Sequence, residues 1–138
     1  RKLAALFESK DTERLTARPA PDKWSVAQIV AHLADAEIAN AWRFRQILSS
    51  NQIEIQAYDQ GAWAATFDYE HRDPRHSLEQ FRVLRNSNVA LLKSVPRRLW
   101  ENYGLHQERG KESVAHLMKM VAGHDLNHLQ QMEQLLKS

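Results

Sequence analysis

The chain has 138 residues, 43% of them apolar and 26% charged, and no cysteine. That is chain enough for a single domain over residues 1–138 with one sizeable core, and the missing thiols exclude disulfides, thiolate metal sites and a cysteine nucleophile, which fits a cytoplasmic location. Its 19 basic and 17 acidic residues are interspersed. They form no Lys/Arg tract of the kind that binds nucleic acid, and no apolar run approaches the roughly 20 residues a membrane span needs.

The opening RKLAALFESK is helical in pattern and lacks an initiating Met, so residues 1–8 read as the tail of a longer helix. Prolines in ARPAPDK end it. In KWSVAQIVAHLADAE, Ser25 and Gln28 make a capping box, and Trp24 with Ile29 a hydrophobic staple. Val26, Ile29, Val30, Leu33, Phe44, Ile47 and Leu48 then share one stripe to about residue 50, at about 100° per residue. Residues 51–73 lack sustained periodicity, though YDQGAW fits a short helix. A third long helix starts at Asp73-Pro74 or Ser77 and ends before Pro96, with Leu78, Phe81, Leu84, Leu91, Leu92 and Val95 facing the core. A second long connection leads to Ser113, which caps a helix to Leu136 that buries Val114, Leu117, Met118, Val121, Met132, Leu135 and Leu136. Strand signals are nearly absent. The expected fold is all-α: a four-helix bundle with a long crossover, its first helix truncated.

Seven histidines invite a metal site. His71 and His106 fall in loops and His76 at a helix start, where exposure without a role is expected. His116 projects about 160° from the apolar face of its helix. His124 and His128 lie about 40° apart inside that face, where two stacked imidazoles must satisfy four ring nitrogens or share a metal. His32, seven residues after its cap, lies at the edge of the stripe of the second helix. It sits about 10 Å from the start of that helix and His128 about 12 Å from the end of its own, so an antiparallel pairing brings all three to one level. Three neutral histidines leave coordination positions open, as in catalytic sites, and do not choose among Zn, Ni, Fe and Mn.

These residues resemble the DinB-like (YfiT-like) metal-binding superfamily. The likeness rests on PAPDKWSVAQIVAHLADAE, with His seven residues after the Ser, on GHDLNHLQQ, and more weakly on YDQGAW. It implies an up-down-down-up bundle with antiparallel second and fourth helices, a divalent metal on His32, His124 and His128, and a homodimer. It also implies a metal-dependent thiol S-transferase or hydrolase acting on a small-molecule substrate. With no cysteine in the chain, any thiol must arrive as a low-molecular-weight cosubstrate.

Glu37, Asn40 and Asp125 are polar on apolar stripes. Glu37 and Asp125 read as second-sphere acceptors that orient imidazoles or tie helices together, or else as salt-bridge partners of Arg43 or Arg45. Asn127 and Gln131 are weaker candidates. Tyr58, Asp59 and Trp63 in the crossover are expected to line the mouth of the pocket, or to pack as an ordinary loop. Two rivals stand beside the enzyme reading. One is a non-enzymatic, metal-stabilised or metal-sensing bundle or interaction module. The other is a zincin-like protease, since HDLNH echoes H-E-x-x-H, with an acid one methylene too short.

Overall fold

Ser25 starts the longest helix as expected. In the computed structural model, which describes residues 2–8 and 10–137, its Oγ accepts from the Gln28 N–H at 3.2 Å and Gln28 Oε1 accepts from the Ser25 N–H at 2.8 Å. The helices are α1 (Lys2–Glu8), α2 (Thr12–Thr16), α3 (Val26–Ser49), α4 (Gln60–Thr66), α5 (Pro74–Ser94) and α6 (Val114–Leu135). Asp73 and Ser113 cap α5 and α6 through side-chain acceptors, with Pro74 opening α5. Two 3-10 turns, Tyr69–His71 and Arg97–Glu101, punctuate the connections.

α3 is the hub. Every residue from Ser25 to Glu37 is buried, and Ala27, Ala31 and Ala34 have no exposed surface, so neighbours approach its small faces closely. One apolar cluster at its start joins Val26, Ile29, Val30 and Leu33 to Phe7, Leu15, Met132 and Leu136. A second at its end joins Phe44 and Ile47 to Ile55, Leu92, Val114 and Leu117. Each fully buried side chain of this size stabilises by about 1.5–3 kcal/mol. The pairings fix direction. Arg85 and Asn88 meet Glu37 while Leu92 meets Phe44 further on, so α5 runs parallel to α3. Met132 packs at the start of α3 and Leu117 at its end, so α6 is antiparallel. Leu3 lies beside Phe81 and Arg85 while the Phe7 carbonyl accepts from Arg75, so α1 is antiparallel to α5 and the order is up-down-down-up, the four-helix bundle expected.

The connections depart from expectation. They carry a three-stranded sheet of β1 (Ile53–Ile55), β2 (Tyr103–His106) and β3 (Gly110–Ser113). β1 pairs parallel with β2, Ile53 opposite Gly104, and β2 antiparallel with β3, Tyr103 opposite Ser113. Strands of three or four residues are too short to show a period of two. Gly104 is dictated by packing, since a Cβ there would lie 2.4 Å from Ile55 Cδ1. α2 was also unforeseen; it is one turn capped by Asp11. The apolar face of α6 is less buried than expected. α5 and α6 each pack on α3 with little mutual contact, leaving an apolar groove lined by Phe81, Ala122, Leu126, Leu129 and Met132. Val121 stays half-buried and Leu126 exposed. No helix among the described residues is long and apolar enough to cross a membrane.

Candidate metal centre

The three histidines singled out by helical position converge. His32 from α3 and His124 and His128 from α6 offer ring nitrogens that all lie within 4.8 Å of one another. His32 Nε2 is 3.0 Å from His124 Nε2, and the ring centroids of His124 and His128 are 4.5 Å apart. His32 is buried, 2% exposed, and the other two are half-buried.

His32 is held from behind. Its ring lies 5.6 Å from that of Trp24, which meets the Tyr69 ring edge-on at 6.1 Å. Tyr69 Oη donates to Asp35 Oδ2 at 2.8 Å, and Arg72 Nη1 to Asp35 Oδ1 at 3.3 Å. Burial, with the Asp35 carboxylate beside it, pushes the Tyr69 hydroxyl well above its ordinary range. His128 Nδ1 pairs with Gln131 Oε1 at 2.9 Å, one turn on. That leaves Nε2 for other contacts.

Electrostatics favour neutral rings at His32 and His124. Burial, then His124 and His128, push the His32 pKa down to about 4. Burial, then His128 and Arg85, push His124 down as well. Neutral, converging imidazoles are the donor set a divalent ion takes. Two nitrogens on a tetrahedral ion lie about 3.3 Å apart for bond lengths of about 2.0–2.1 Å. The His32–His124 separation of 3.0 Å lies between that and the roughly 2.9 Å of a right-angle pair on an octahedral ion.

Glu37 and Asp125 orient no imidazole and pair with neither Arg43 nor Arg45. Both bind Arg85 of α5: its Nη2 is 2.8 Å from Glu37 Oε1 and 2.6 Å from Asp125 Oδ2. Asn88 Nδ2 adds a hydrogen bond to Glu37 Oε2 at 2.9 Å. The two acids thus tie α3, α5 and α6 together. Burial pushes the Asp125 carboxyl up, against the opposing pull of Arg85.

A cavity of about 140 Å³ opens against His124, lined also by Ala36, Asn40, Arg43, Tyr58 and His106. A second, of about 630 Å³, shares Arg43 and Tyr58 with it and continues past Ile38, Trp42 and Trp63. The larger one reaches none of the three imidazoles; the smaller reaches His124. Tyr58 therefore lines the approach, and Trp63 stacks on it at 4.3 Å. Asp59 lines neither cavity; its side chain accepts from the Ala62 N–H and caps α4.

His71, His76 and His116 are exposed as expected. His106 is not an exposed loop residue. It ends β2, buried at 5% exposure, and its Nδ1 accepts the Glu108 and Arg109 N–H groups at 3.1 Å each. The sequence carried no signal for it: the apolar residues of YGLH, Tyr103 and Leu105, point away from the buried face that Gly104 and His106 share. Arg85 and Tyr69 were missed because their partners lie 48 and 34 residues away.

A sequence model of the DinB superfamily matches residues 1–132. The chain belongs to the DinB superfamily. Within it, YfiT of Bacillus subtilis is 27% identical over 114 residues, which make up 81% of this chain and 64% of YfiT. BH0277 of Halalkalibacterium halodurans is 24% identical over 135 residues, 98% of this chain and 78% of its own. Both are provisionally designated metal-dependent hydrolases. This DinB-superfamily chain thus spans less than two thirds of YfiT. The solved structure of YfiT, described as having an unusual four-helix bundle topology, matches with a TM-score of 0.90 at 24% identity over 99% of this chain and 78% of that one. The match shows the shared fold.

Proposed function

We propose that this DinB-superfamily protein is a metal-dependent enzyme of hydrolase type, acting on a small molecule beside His32, His124 and His128. The convergence of three imidazoles, with His124 open to a cavity, carries the reading. The hydrolase designation of its relatives supports the reaction type. When bound, a divalent ion supplies Lewis acidity and activates a water, or a thiol brought as cosubstrate, for attack. The chain's own groups hold and orient: Trp24 buttresses His32, Gln131 fixes His128, and Asn40 and Tyr58 face the substrate side. The cavity against His124 favours an enzyme over a metal that merely closes a polar core. A zincin-like role for Asp125 is disfavoured, because its carboxylate is engaged by Arg85.

Protein purified without a nickel column tests this by metal analysis. About one divalent ion per chain is expected, lost on His32→Ala, His124→Ala or His128→Ala and kept on His116→Ala. Ester and amide panels, with and without small thiols, then assign the reaction: turnover without thiol supports the hydrolase, and strict thiol dependence makes it an S-transferase. A metal-free wild type, or equal loss in His116→Ala, overturns the proposal.

A further inference from the structure

Among the described residues, four Asp, Glu or Arg side chains are buried: Asp35, Glu37, Arg43 and Glu112. Three have counter-ions: Asp35 has Arg72 at 3.3 Å, Glu37 has Arg85 at 2.8 Å and Glu112 has Arg109 at 2.7 Å. Arg43, 8% exposed, makes no ion pair of its own; Glu112, the buried carboxylate near enough to favour its charge, is already held by Arg109. Its Nη2 donates to the Gln56 carbonyl at 3.0 Å, and its guanidinium lies 5.4 Å from the Tyr58 ring centroid. A guanidinium withdrawn from water without a carboxylate is costly unless a ligand supplies the opposite charge.

Arg43 sits where a ligand can reach it, on the wall common to the inner and outer cavities. It follows His32 by 11 residues, about three turns, and so lies within about 20° of the same face, about 16 Å along the axis. Side chains lean toward the helix N-terminus, here toward the imidazoles, which shortens the reach. Between them Ala36 leaves the wall open, and Asn40 presents an amide to the cavity. The rest of the lining is rich in donors. His106 accepts two backbone N–H groups at Nδ1, so the neutral ring carries its proton on Nε2. Arg109 lines the cavity too, with its charge already matched by Glu112 through two contacts of 2.7 and 3.1 Å. The carboxylates at the rims, Glu108 and Glu54, are exposed.

We infer that Arg43 anchors an oxyanion. The small molecule that meets the three imidazoles carries a carboxylate or phosphate, which docks on the Arg43 guanidinium with Asn40 and His106 as neutral donors beside it. The inference rests on the proposed function only for the reacting end of that molecule. The Arg43 subsite is complete without a metal.

Calorimetric titration with malonate, methylphosphonate and the uncharged malonamide tests it, on protein as purified and after chelation. Both forms are expected to bind at least one of the two anions and neither form malonamide; whichever anion binds more tightly names the group. Arg43→Gln, at unchanged metal content, is expected to weaken that anion about tenfold or more, the loss of a charge-assisted contact. Arg43→Met, which leaves no buried charge to be matched, serves as a second variant and is expected to fold and to lose the same binding. Anion affinity within twofold of wild type in either variant overturns the inference. So does binding that chelation abolishes while Arg43 is intact, an outcome that leaves the metal reading standing. Anion binding to a wild type that holds no metal would uphold Arg43 and fell the proposed function instead.

Discussion

Arg85 sets one nitrogen between two carboxylates from different helices, 2.8 Å from Glu37 and 2.6 Å from Asp125. With its partner removed, Glu37 would keep a charge at 3% side-chain exposure with only the Asn88 amide to face it. Arg85→Ala is therefore expected to cost about 3 kcal/mol, at the low end for a broken buried pair because Arg85 and Asp125 keep some contact with water. Urea denaturation measures it against Arg82→Ala, whose exposed partner Glu79 makes that pair worth less than about 1 kcal/mol. Equal losses would show that Arg85 does not hold the helices together. At this scale the sequence exposes the polar residues that need partners and conceals the partners. Glu37 and Asp125 were visible as charges on apolar stripes. Nothing in their spacing points to an arginine on a third helix; Arg43 and Arg45 lie on the same helix as Glu37, and the partner is Arg85. The histidines were legible because their constraint is local: four residues apart on one face, at a depth countable from the caps.

The long helices were legible for the same reason. Ser25, Asp73 and Ser113 each accept a backbone N–H near the start of a helix, and such caps are written in a few consecutive residues. The sheet was not legible, because its register depends on β1 and β2 meeting 51 residues apart, Ile53 on Gly104. Two substitutions probe what the helices contribute. Ser25→Ala removes one half of the buried capping box and is expected to destabilise by about 1–2 kcal/mol. Gly123→Ala should do the opposite. Gly123 lies within α6, and a Cβ there meets nothing within 4 Å. The gain is about 0.5–1 kcal/mol of helix propensity. Thermal melts of both variants against wild type check the signs; a destabilised Gly123→Ala would mean that α6 needs the glycine backbone beside His124.

The whole molecule folds around a layer of ionisable groups lying between its two apolar clusters, and this makes stability depend on pH. In the folded, metal-free protein His32 holds its proton with a pKa of about 4, against 6.5 for an ordinary histidine. Below pH 6.5 the unfolded chain takes up a proton that the folded chain refuses, so protonation favours unfolding. The contribution is present in full above that pH and is lost as the pH falls toward 4. Its size is up to about 3 kcal/mol, since each pK unit is worth about 1.4 kcal/mol. The lowered pKa of His124 acts in the same direction. Chelated wild type is accordingly expected to melt well below its pH 7 temperature at pH 5, and His32→Gln, which cannot take up that proton, to show a smaller drop between the same two pH values. Metal should widen the contrast, because an ion bound only by the folded protein adds stability at pH 7 and must be displaced by protons on acidification. If His32→Gln loses as much between pH 7 and 5 as wild type does, the burial of a neutral imidazole is not what couples this fold to pH.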